Sequence, residues 1–299
     1  MSSAGHRDSR AVMHAAAVRA GLDATGAEVI RLGENDLYRL PGAVVARVAR
    51  PGQDTAAGRE VRVARWLEDG DVPAVRVLRD VKQPVVVQGR AVTFWHELPP
   101  HEHGTTIDVA VALRRFHALR PPNDFVLPEL DPFVRLDERI GSASTLHDTD
   151  RTWLLGRVAE LRQVYATLPP GLPRGVVHGD AWRGNVVRTH DGEVLLLDFE
   201  RCALGPPEWD LVSTAVAHHT VHRLSNAEWS AYCDAYGFDV TTWTGFAVLR
   251  DIRELRMTSM ALQLATTSPN RYTEQAAHRL ACLRGERGPR PWTDWHDVP

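Results

Sequence analysis

Apolar and polar residues alternate with a period of two in the first third of the chain, and this pattern predicts a β-meander. Three segments carry it in succession: EVIRL, DLYRL and AVVARVAR. Turn-forming residues separate them, at residues 33–35 and at Pro41-Gly42. Three later segments also read as strands: RVLRD, PVVVQG and RAVTFWHEL. From these six segments we expect five strands to form one antiparallel sheet in this part of the chain.

Segments with helical periodicity precede and follow these strands, and they make up most of the rest of the chain. Residues 9–20 read as a short helix with Ser9 as its N-cap. Further helical patterns cover residues 56–69, 106–119, 148–168, 226–236, 243–266 and 270–284. In the helix of residues 106–119 the expected buried face consists of Ile107, Val111, Leu113 and Phe116. Strands followed by helices predict an α+β fold.

The segment of residues 176–211 combines short strands with polar loops: VVHGDAWRGNVVRTHDGEVLLLDFERCALGPPEWDL. Asp191-Gly192 favours a hairpin turn because both residues tolerate positive φ, and residues 193–199 read as a buried strand. Such a hairpin would bring Asp180, Asn185 and Asp198 together. Converging carboxylate and amide oxygens suit Mg2+. The alternative is that these residues are only turn formers.

Composition narrows the class of protein. The chain has 299 residues, 43% of them hydrophobic and 24% charged, which is typical of a soluble globular enzyme of about two lobes. Its net charge of −3 provides no electrostatic basis for binding nucleic acid. The 3 cysteines lie far apart, which argues against a disulfide framework and a zinc site. Because neither a signal peptide nor a membrane-spanning run is recognisable, we expect a cytoplasmic protein without a membrane partner.

Three features outside this segment have interpretations of their own. His218 and His222 share a helix face in H-H-x-x-H, where they either bind a metal or line a pocket or the surface. Residues 101–103 read as a solvated loop after Pro99-Pro100. The tail, residues 285–299, is expected to pack only loosely.

The segment of residues 176–211 resembles the catalytic core of the aminoglycoside phosphotransferase and choline kinase family. The matching elements are His178-Gly179-Asp180, Asn185, Asp198 and Trp209-Asp210-Leu211. Their agreement in order and spacing makes the resemblance specific. It implies an α+β, two-lobed protein-kinase-like fold, with a nucleotide-binding lobe over residues 1–98 and a catalytic and acceptor-binding lobe over residues 99–299.

The resemblance also implies roles in phosphoryl transfer, which needs a base for the acceptor hydroxyl and Mg2+ on the nucleotide phosphates. Asp180 would be the base, and His178 would fix its loop. Asn185 and Asp198 would hold Mg2+. Arg183, inside the loop, either contacts the γ-phosphate or faces solvent.

Two further residues of the pattern are interpreted as structural. The resemblance implies that Asp210 accepts hydrogen bonds from the backbone of the catalytic loop. The alternative is an acid favoured by the dipole at a helix N-terminus. His117, near the end of the helix of residues 106–119, is interpreted as a packed or hydrogen-bonded residue rather than a catalyst.

For the nucleotide, the resemblance implies a lysine on the third strand, paired with a helix glutamate. Arg47 stands at that position, where it either binds phosphate bidentately or faces solvent. Glu60 would pair with Arg47, or else with Arg59 or Arg65 of its own helix.

Four more residues belong to the implied nucleotide site. Gly33 and Asn35 lie in the first turn of the meander, which covers the phosphates in kinase-like folds. Trp95 and Glu97 lie where the interlobe hinge would bind the adenine edge. Because backbone groups make that contact, the sequence does not indicate whether ATP or GTP is preferred.

The acceptor is the least determined part of this interpretation. The segment of residues 201–208 is too short for the activation segment that receives a polypeptide, so we expect a small hydroxyl-bearing acceptor. An aminoglycoside-like antibiotic is the first candidate, and a metabolite of the choline, homoserine or sugar type is the alternative. A non-catalytic nucleotide-binding regulator remains open because Arg47 replaces the lysine. We expect a monomer or a weak dimer.

Overall fold

The computed structural model describes residues 3–33 and 35–296, and it describes the side chains from residue 8 onward. These residues form two compact units. The first unit comprises Met1–Asp108, Pro122–Leu127 and Arg183–Cys202, and the second comprises Val109–Pro121, Pro128–Trp182 and Ala203–Pro299. The division of function between residues 1–98 and 99–299 stays a prediction.

The first unit contains the predicted five-stranded antiparallel sheet, in the order β1-β2-β3-β5-β4. Its strands are β1 (Glu28–Arg31), β2 (Asp36–Leu40), β3 (Val44–Val48), β4 (Val85–Val87) and β5 (Arg90–His96). The prediction of a strand in RVLRD is wrong, because this segment forms only an isolated bridge between Val77 and Trp95. The edge of β5 that it meets is already occupied along residues 90–92 by β4.

A helix covers one face of this sheet. Helix α1 (Ser3–Ala20) packs Val12 and Met13 against Ala46 and Phe94 in a common buried cluster. The prediction of Ser9 as an N-cap is wrong, because α1 extends past it and the buried Ser9 hydroxyl accepts a hydrogen bond from Tyr38 (3.1 Å). Successive side chains of a strand point to opposite faces, so Arg47, the neighbour of Ala46 on β3, lies on the face of the sheet that α1 does not cover.

A second, three-stranded sheet of the first unit has the order β6-β8-β9. Its strands are β6 (His101–His103), β8 (Val186–Thr189) and β9 (Val194–Leu196). Residues 101–103, expected as a solvated loop, are exposed but form a strand, because their backbone pairs with the edge of β8. The predicted strand of residues 193–199 is shorter than expected, since Asp198 has φ of 63° and cannot continue it.

The second unit is mainly helical, with one small sheet formed by β7 (Gly175–Val177) and β10 (Ala203–Gly205). Helix α2 (Asp54–Asp69) belongs to the first unit, and α3 (Thr106–His117) begins in the first unit and continues into the second. The other helices of the second unit are α4 (Leu136–Ser142), α5 (Asp148–Tyr165), α6 (Glu208–His219), α7 (Asn226–Tyr236), α8 (Phe246–Thr267) and α9 (Pro269–Leu283). No helix in the described ranges is long and apolar enough to cross a membrane.

Two packing predictions outside the five-stranded sheet are wrong. Helix α3 buries Val109, Leu113 and Phe116, whereas Ile107 and Val111 are 46% and 37% exposed, because they lie one turn apart on its opposite face. The tail is not loose up to residue 296: the indoles of Trp292 and Trp295 are buried and stack at 5.4 Å. Residues 297–299 of the tail lie outside the described residues.

Candidate active site

Arg47 and Glu60 form an ion pair within the first unit. Arg47 lies on β3 and its Nη1 donates to the Glu60 carboxylate of α2, which is only 3% exposed. Burial raises the pKa of Glu60, and the Arg47 guanidinium opposes this rise. Glu60 is therefore paired across to the sheet, as the sequence predicted. The role of this pair in nucleotide binding stays a prediction.

Arg47 also contacts two acids that follow β9. Its Nη2 lies 3.4 Å from the Asp198 carboxylate and 3.2 Å from that of Glu200. In the amide orientation that satisfies both groups, the Asn35 oxygen accepts from Arg47 Nε (3.1 Å) and Nη2 (2.6 Å). Burial lowers the pKa of Arg47, but Glu60, Asp198 and Glu200 outweigh that effect and raise it. One permanent cation thus faces three carboxylates, an excess of negative charge.

Asn185 and Asp198 lie at the same end of the β8–β9 hairpin. The Leu197 N–H donates to the Asn185 carbonyl (3.0 Å), which ties Asn185 to the residue before Asp198. Asn185 is 9% exposed, whereas the Asp198 side chain is 38% exposed. The Asn185 amide and the Asp198 carboxylate supply oxygen ligands, and the neighbouring carboxylates outnumber the Arg47 cation. Such surroundings suit a hard divalent cation. Within the described residues no three or more His, Cys, Asp or Glu form a metal cage. Mg2+ does not need one, because it commonly binds through one or two carboxylates together with substrate phosphates.

The other residues predicted for the nucleotide are held by local hydrogen bonds. The Gly33 N–H donates to Asp36 (3.1 Å) and so shapes the first turn of the meander. The Trp95 indole is 4% exposed and donates to Thr93 (2.8 Å), so any contact to a base would come from its backbone. The Glu97 carboxylate accepts from Arg39 (2.5 Å).

Arg183 follows the catalytic loop and lies in the first unit. It begins a 3₁₀ turn, Arg183–Asn185, and its Nε donates to the Gly104 carbonyl (3.0 Å). Gly104 is required there, since a Cβ would lie 2.8 Å from Val186. This bond fixes the guanidinium and leaves Nη1 and Nη2 without a hydrogen-bond partner among the described residues.

In the second unit a buried carboxylate holds the H-G-D loop. Asp210, on α6, is 0% exposed and accepts from the His178 N–H (2.6 Å) and the Gly179 N–H (2.8 Å). The Trp209 indole donates to the Gly179 carbonyl (3.0 Å), and Gly179 itself needs glycine because its φ is 83°. His178 is also 0% exposed. The backbone that carries Asp180 is thus tied to α6.

His117 completes this support. Its Nε2 bonds to Asp210 (2.9 Å) and its Nδ1 to the Tyr236 hydroxyl (2.8 Å). A carboxylate accepts hydrogen bonds, so Nε2 is the donor to Asp210. Both ring nitrogens are engaged, which agrees with a structural reading of His117.

Asp210→Ala should destabilise the protein by about 2–6 kcal/mol, because two buried backbone N–H groups lose their acceptor at roughly 1–3 kcal/mol each. Urea unfolding would measure the loss. Asp234→Ala, at an exposed position of α7, is the matched control and should change stability little. Equal stability of the two variants would show that Asp210 does not hold the loop.

Asp180 lies at the end of the held loop, and its side chain is 33% exposed. Its Oδ1 accepts from Arg253 Nη1 of α8 at 3.2 Å. By sequence alone, Asp251 and Glu254 of α8 would suit a cationic acceptor, an expectation that the interleaved arginines weaken, and the contact of Arg253 with Asp180 is not predicted. The only signal was the repeat of arginines at residues 250, 253 and 256.

The three histidines of α6 and the following turn pack with aromatic residues. The His218 and His219 rings lie 4.5 Å apart, and both lie 5.6 Å from the Trp229 ring. His218 Nε2 also bonds to Asn226 (3.0 Å). These contacts place His218 and His219 among aromatic rings, whereas the metal-binding and pocket-lining roles of H-H-x-x-H stay predictions.

Residues 27–251 match the pattern that defines the phosphotransferase enzyme family, APH. The chain belongs to the phosphotransferase enzyme family. This membership confirms the family recognised from the motifs of residues 176–211. It also confirms the predicted enzyme class, a small-molecule kinase. No curated protein sequence matches the chain.

Solved structures of other phosphotransferases are similar to this one. Amicoumacin kinase hAmiN, in complex with AMP-PNP, Ca2+ and Ami, has 16% identity and a TM-score of 0.67, with 91% of each chain covered. A choline/ethanolamine kinase family protein from Mesorhizobium loti has 19% identity and a TM-score of 0.60, with 95% of each chain covered. Aminoglycoside phosphotransferase APH(3'')-Id from Streptomyces rimosus, in complex with ADP and streptomycin, has 21% identity and a TM-score of 0.55, covering 79% of this chain and 97% of that one. At these identities the likeness shows the fold, and it confirms the α+β, protein-kinase-like architecture.

Proposed function

We propose that this phosphotransferase transfers the γ-phosphoryl group of ATP or GTP to a hydroxyl group of a small molecule. The observation that carries the proposal is the Asp210 carboxylate, which holds the backbone of His178 and Gly179 and so fixes the partly exposed Asp180. Complexes of similar proteins with AMP-PNP or ADP and a small molecule support the same pair of substrates.

In the proposed reaction Asp180 accepts the proton of the acceptor hydroxyl. The hydroxyl oxygen forms a bond to the γ-phosphorus, the bond from that phosphorus to the β,γ-bridging oxygen breaks, and the nucleoside diphosphate leaves with the electron pair. His178 acts through its backbone N–H, which Asp210 holds, so His178 positions Asp180 rather than exchanging protons.

Residues of the first unit would bind the nucleotide. Arg47, held by Glu60, would contact the phosphates, and the free Nη groups of Arg183 suit the γ-phosphate. Asn185 and Asp198 would hold Mg2+, which neutralises phosphate charge when it is bound. Gly33, Asn35, Trp95 and Glu97 remain proposed nucleotide contacts.

A non-catalytic regulator is less well supported than an enzyme. Its only basis in the sequence is the missing lysine, and Arg47 supplies a permanent positive charge and the ion pair with Glu60 instead. The cytoplasmic location and the monomeric or weakly dimeric state stay predictions.

The proposed function predicts nucleoside diphosphate release in the presence of Mg-ATP or Mg-GTP and a suitable hydroxyl compound. A panel of aminoglycosides, amino alcohols, hydroxy acids and sugars would test it, with release without acceptor as the background. Turnover above that background for one chemical class is the expected result. Tight ATP binding without turnover of any compound would instead favour the regulator.

Nucleotide binding should depend on Mg2+, because ATP phosphates alone would meet the carboxylates of Asp198 and Glu200. We expect ATP to bind at least about tenfold more tightly with Mg2+ than with EDTA, a difference of about 1.4 kcal/mol in binding free energy. Calorimetry would measure this for the parent protein and for Asp198→Asn, with Asp80→Asn at an exposed turn as control. Similar affinities of ATP with Mg2+ and with EDTA would contradict the assignment of Asn185 and Asp198 as the residues that hold Mg2+.

A further inference from the structure

Arg253 is the charged residue of α8 that contacts the proposed base. Its Nη1 lies 3.2 Å from Asp180 Oδ1, and its side chain is 16% exposed. Its Nε and Nη2 make no hydrogen bond to any residue that the structure describes. Arg253 therefore presents two donors of a rigid, permanently charged fork beside the carboxylate at which the acceptor hydroxyl would react.

Asp251 is not available to a cationic acceptor. Its carboxylate accepts from Arg157 (2.8 Å), Arg250 (3.0 Å) and Arg290 (3.2 Å). Three guanidinium groups thus contact the Asp251 carboxylate, although Arg290 is shared with Glu254.

Glu254, the second acid of α8, is also occupied. It is 0% exposed, accepts from the Thr220 hydroxyl (2.6 Å), and binds Arg290 through both carboxylate oxygens (2.7 and 2.5 Å). Asp251 and Glu254 both bind arginines of the protein itself, so neither carboxylate is available to a cationic acceptor.

Arg253 compensates the charge of the Asp180 carboxylate through Nη1 and keeps Nε and Nη2 for a second oxyanion. An ammonium group that approaches the Asp180 carboxylate also approaches Arg253, whose like charge repels it. A carboxylate or phosphate of the acceptor could instead bind the free Nε and Nη2 of Arg253, a geometry in which planar guanidinium is a strong ligand for oxyanions.

On the basis of the proposed function, we infer that the acceptor is an anionic hydroxyl compound and that Arg253 binds its carboxylate or phosphate group. Arg253 is then the residue that selects the acceptor by charge. Of the acceptors considered from the sequence, this disfavours the polycationic aminoglycoside and, among the metabolites of the choline, homoserine or sugar type, cationic choline.

The test uses compounds that share a six-carbon hydroxylated skeleton and differ in charge: gluconate, glucose 6-phosphate, glucose and glucosamine. Their binding to the full chain with Mg-AMP-PNP would be measured by ligand-observed NMR, and their phosphorylation with Mg-ATP as kcat and KM. We expect gluconate or glucose 6-phosphate to bind at least about tenfold more tightly than glucosamine. Tighter binding of gluconate would identify a carboxylate as the recognised anion, and tighter binding of glucose 6-phosphate would identify a phosphate.

Variants of the protein distinguish a loss of anion recognition from a nonspecific loss of folding or activity. Arg253→Ala should raise the KM and dissociation constant of the anion about tenfold or more and leave those of glucose within about twofold. Arg253→Glu should favour glucosamine, whereas Arg287→Ala, an exposed arginine after α9, should behave as the parent.

Two results would overturn the inference: no preference for either anion over glucosamine in the parent, or an equal effect of Arg253→Ala on all four compounds. Failure of the proposed function has a different signature. In that case the anion binds in an Arg253-dependent way, but no compound is phosphorylated.

Discussion

Asp180→Asn is expected to lower kcat by about 10²–10⁴-fold, because a positioned general base typically contributes that factor. The asparagine keeps the shape of the side chain and an oxygen that can accept from Arg253, but it cannot take the proton of the acceptor hydroxyl. The affinity for Mg-ATP should stay within about twofold, since the proposed nucleotide contacts come from other residues. Steady-state phosphorylation and calorimetry of the same preparation would measure both quantities.

Asp234→Asn is the matched control for this loss, because it makes the same chemical change at an exposed position of α7. A collapse of kcat in Asp180→Asn alone supports Asp180 as the base. Unchanged turnover of Asp180→Asn would show that Asp180 is not the general base. An equal loss of kcat in both variants would indicate a nonspecific effect.

Arg47→Ala should weaken Mg-ATP binding by about 10- to 100-fold, because hydrogen bonds to charged groups contribute roughly 1.5–3 kcal/mol. It should also destabilise the protein, since Glu60 is left buried and unpaired. Breaking a buried ion pair by removing one partner typically costs about 3–5 kcal/mol. Calorimetry and urea unfolding would measure the two effects.

A second variant separates the two effects. In Arg47→Ala/Glu60→Gln the buried carboxylate is replaced by a neutral amide, so much of the lost stability should return while nucleotide affinity stays low. Lys82→Ala, at the exposed single lysine of the chain, should leave both properties unchanged. If Lys82→Ala abolished binding and Arg47→Ala did not, the assignment of Arg47 to the phosphates would be wrong.

Elements with strong local signals could be predicted from the sequence. The β1–β3 meander follows from alternation and turn residues. Helix α7 has the predicted bounds because Ser225, its N-cap, forms a capping box with Glu228 in the first turn. Short elements could not be predicted. β6 is a strand only because β8 offers its edge to a polar His-Glu-His segment.

The same distinction applies to the candidate site. The Arg47–Glu60 pair could be anticipated, because the resemblance places a cation on the third strand and an acid on the next helix. The contact between Arg253 and Asp180 joins residues 73 positions apart through the packing of α8, and the arginine repeat of α8 does not show which acid it would meet. Likewise, only the structure shows that Asp251 and Glu254 are occupied by arginines.

The central claim is that the γ-phosphoryl group reaches a hydroxyl of a small molecule, and the most direct test follows that group. The protein would be incubated with Mg-ATP labelled at the γ-phosphate and with the acceptor panel, and the products would be separated and analysed by mass spectrometry and phosphorus NMR. We expect the label to appear as a phosphate ester of the acceptor, in equal amount to the ADP formed. Label found only as inorganic phosphate, or remaining in ATP with every compound, would contradict it.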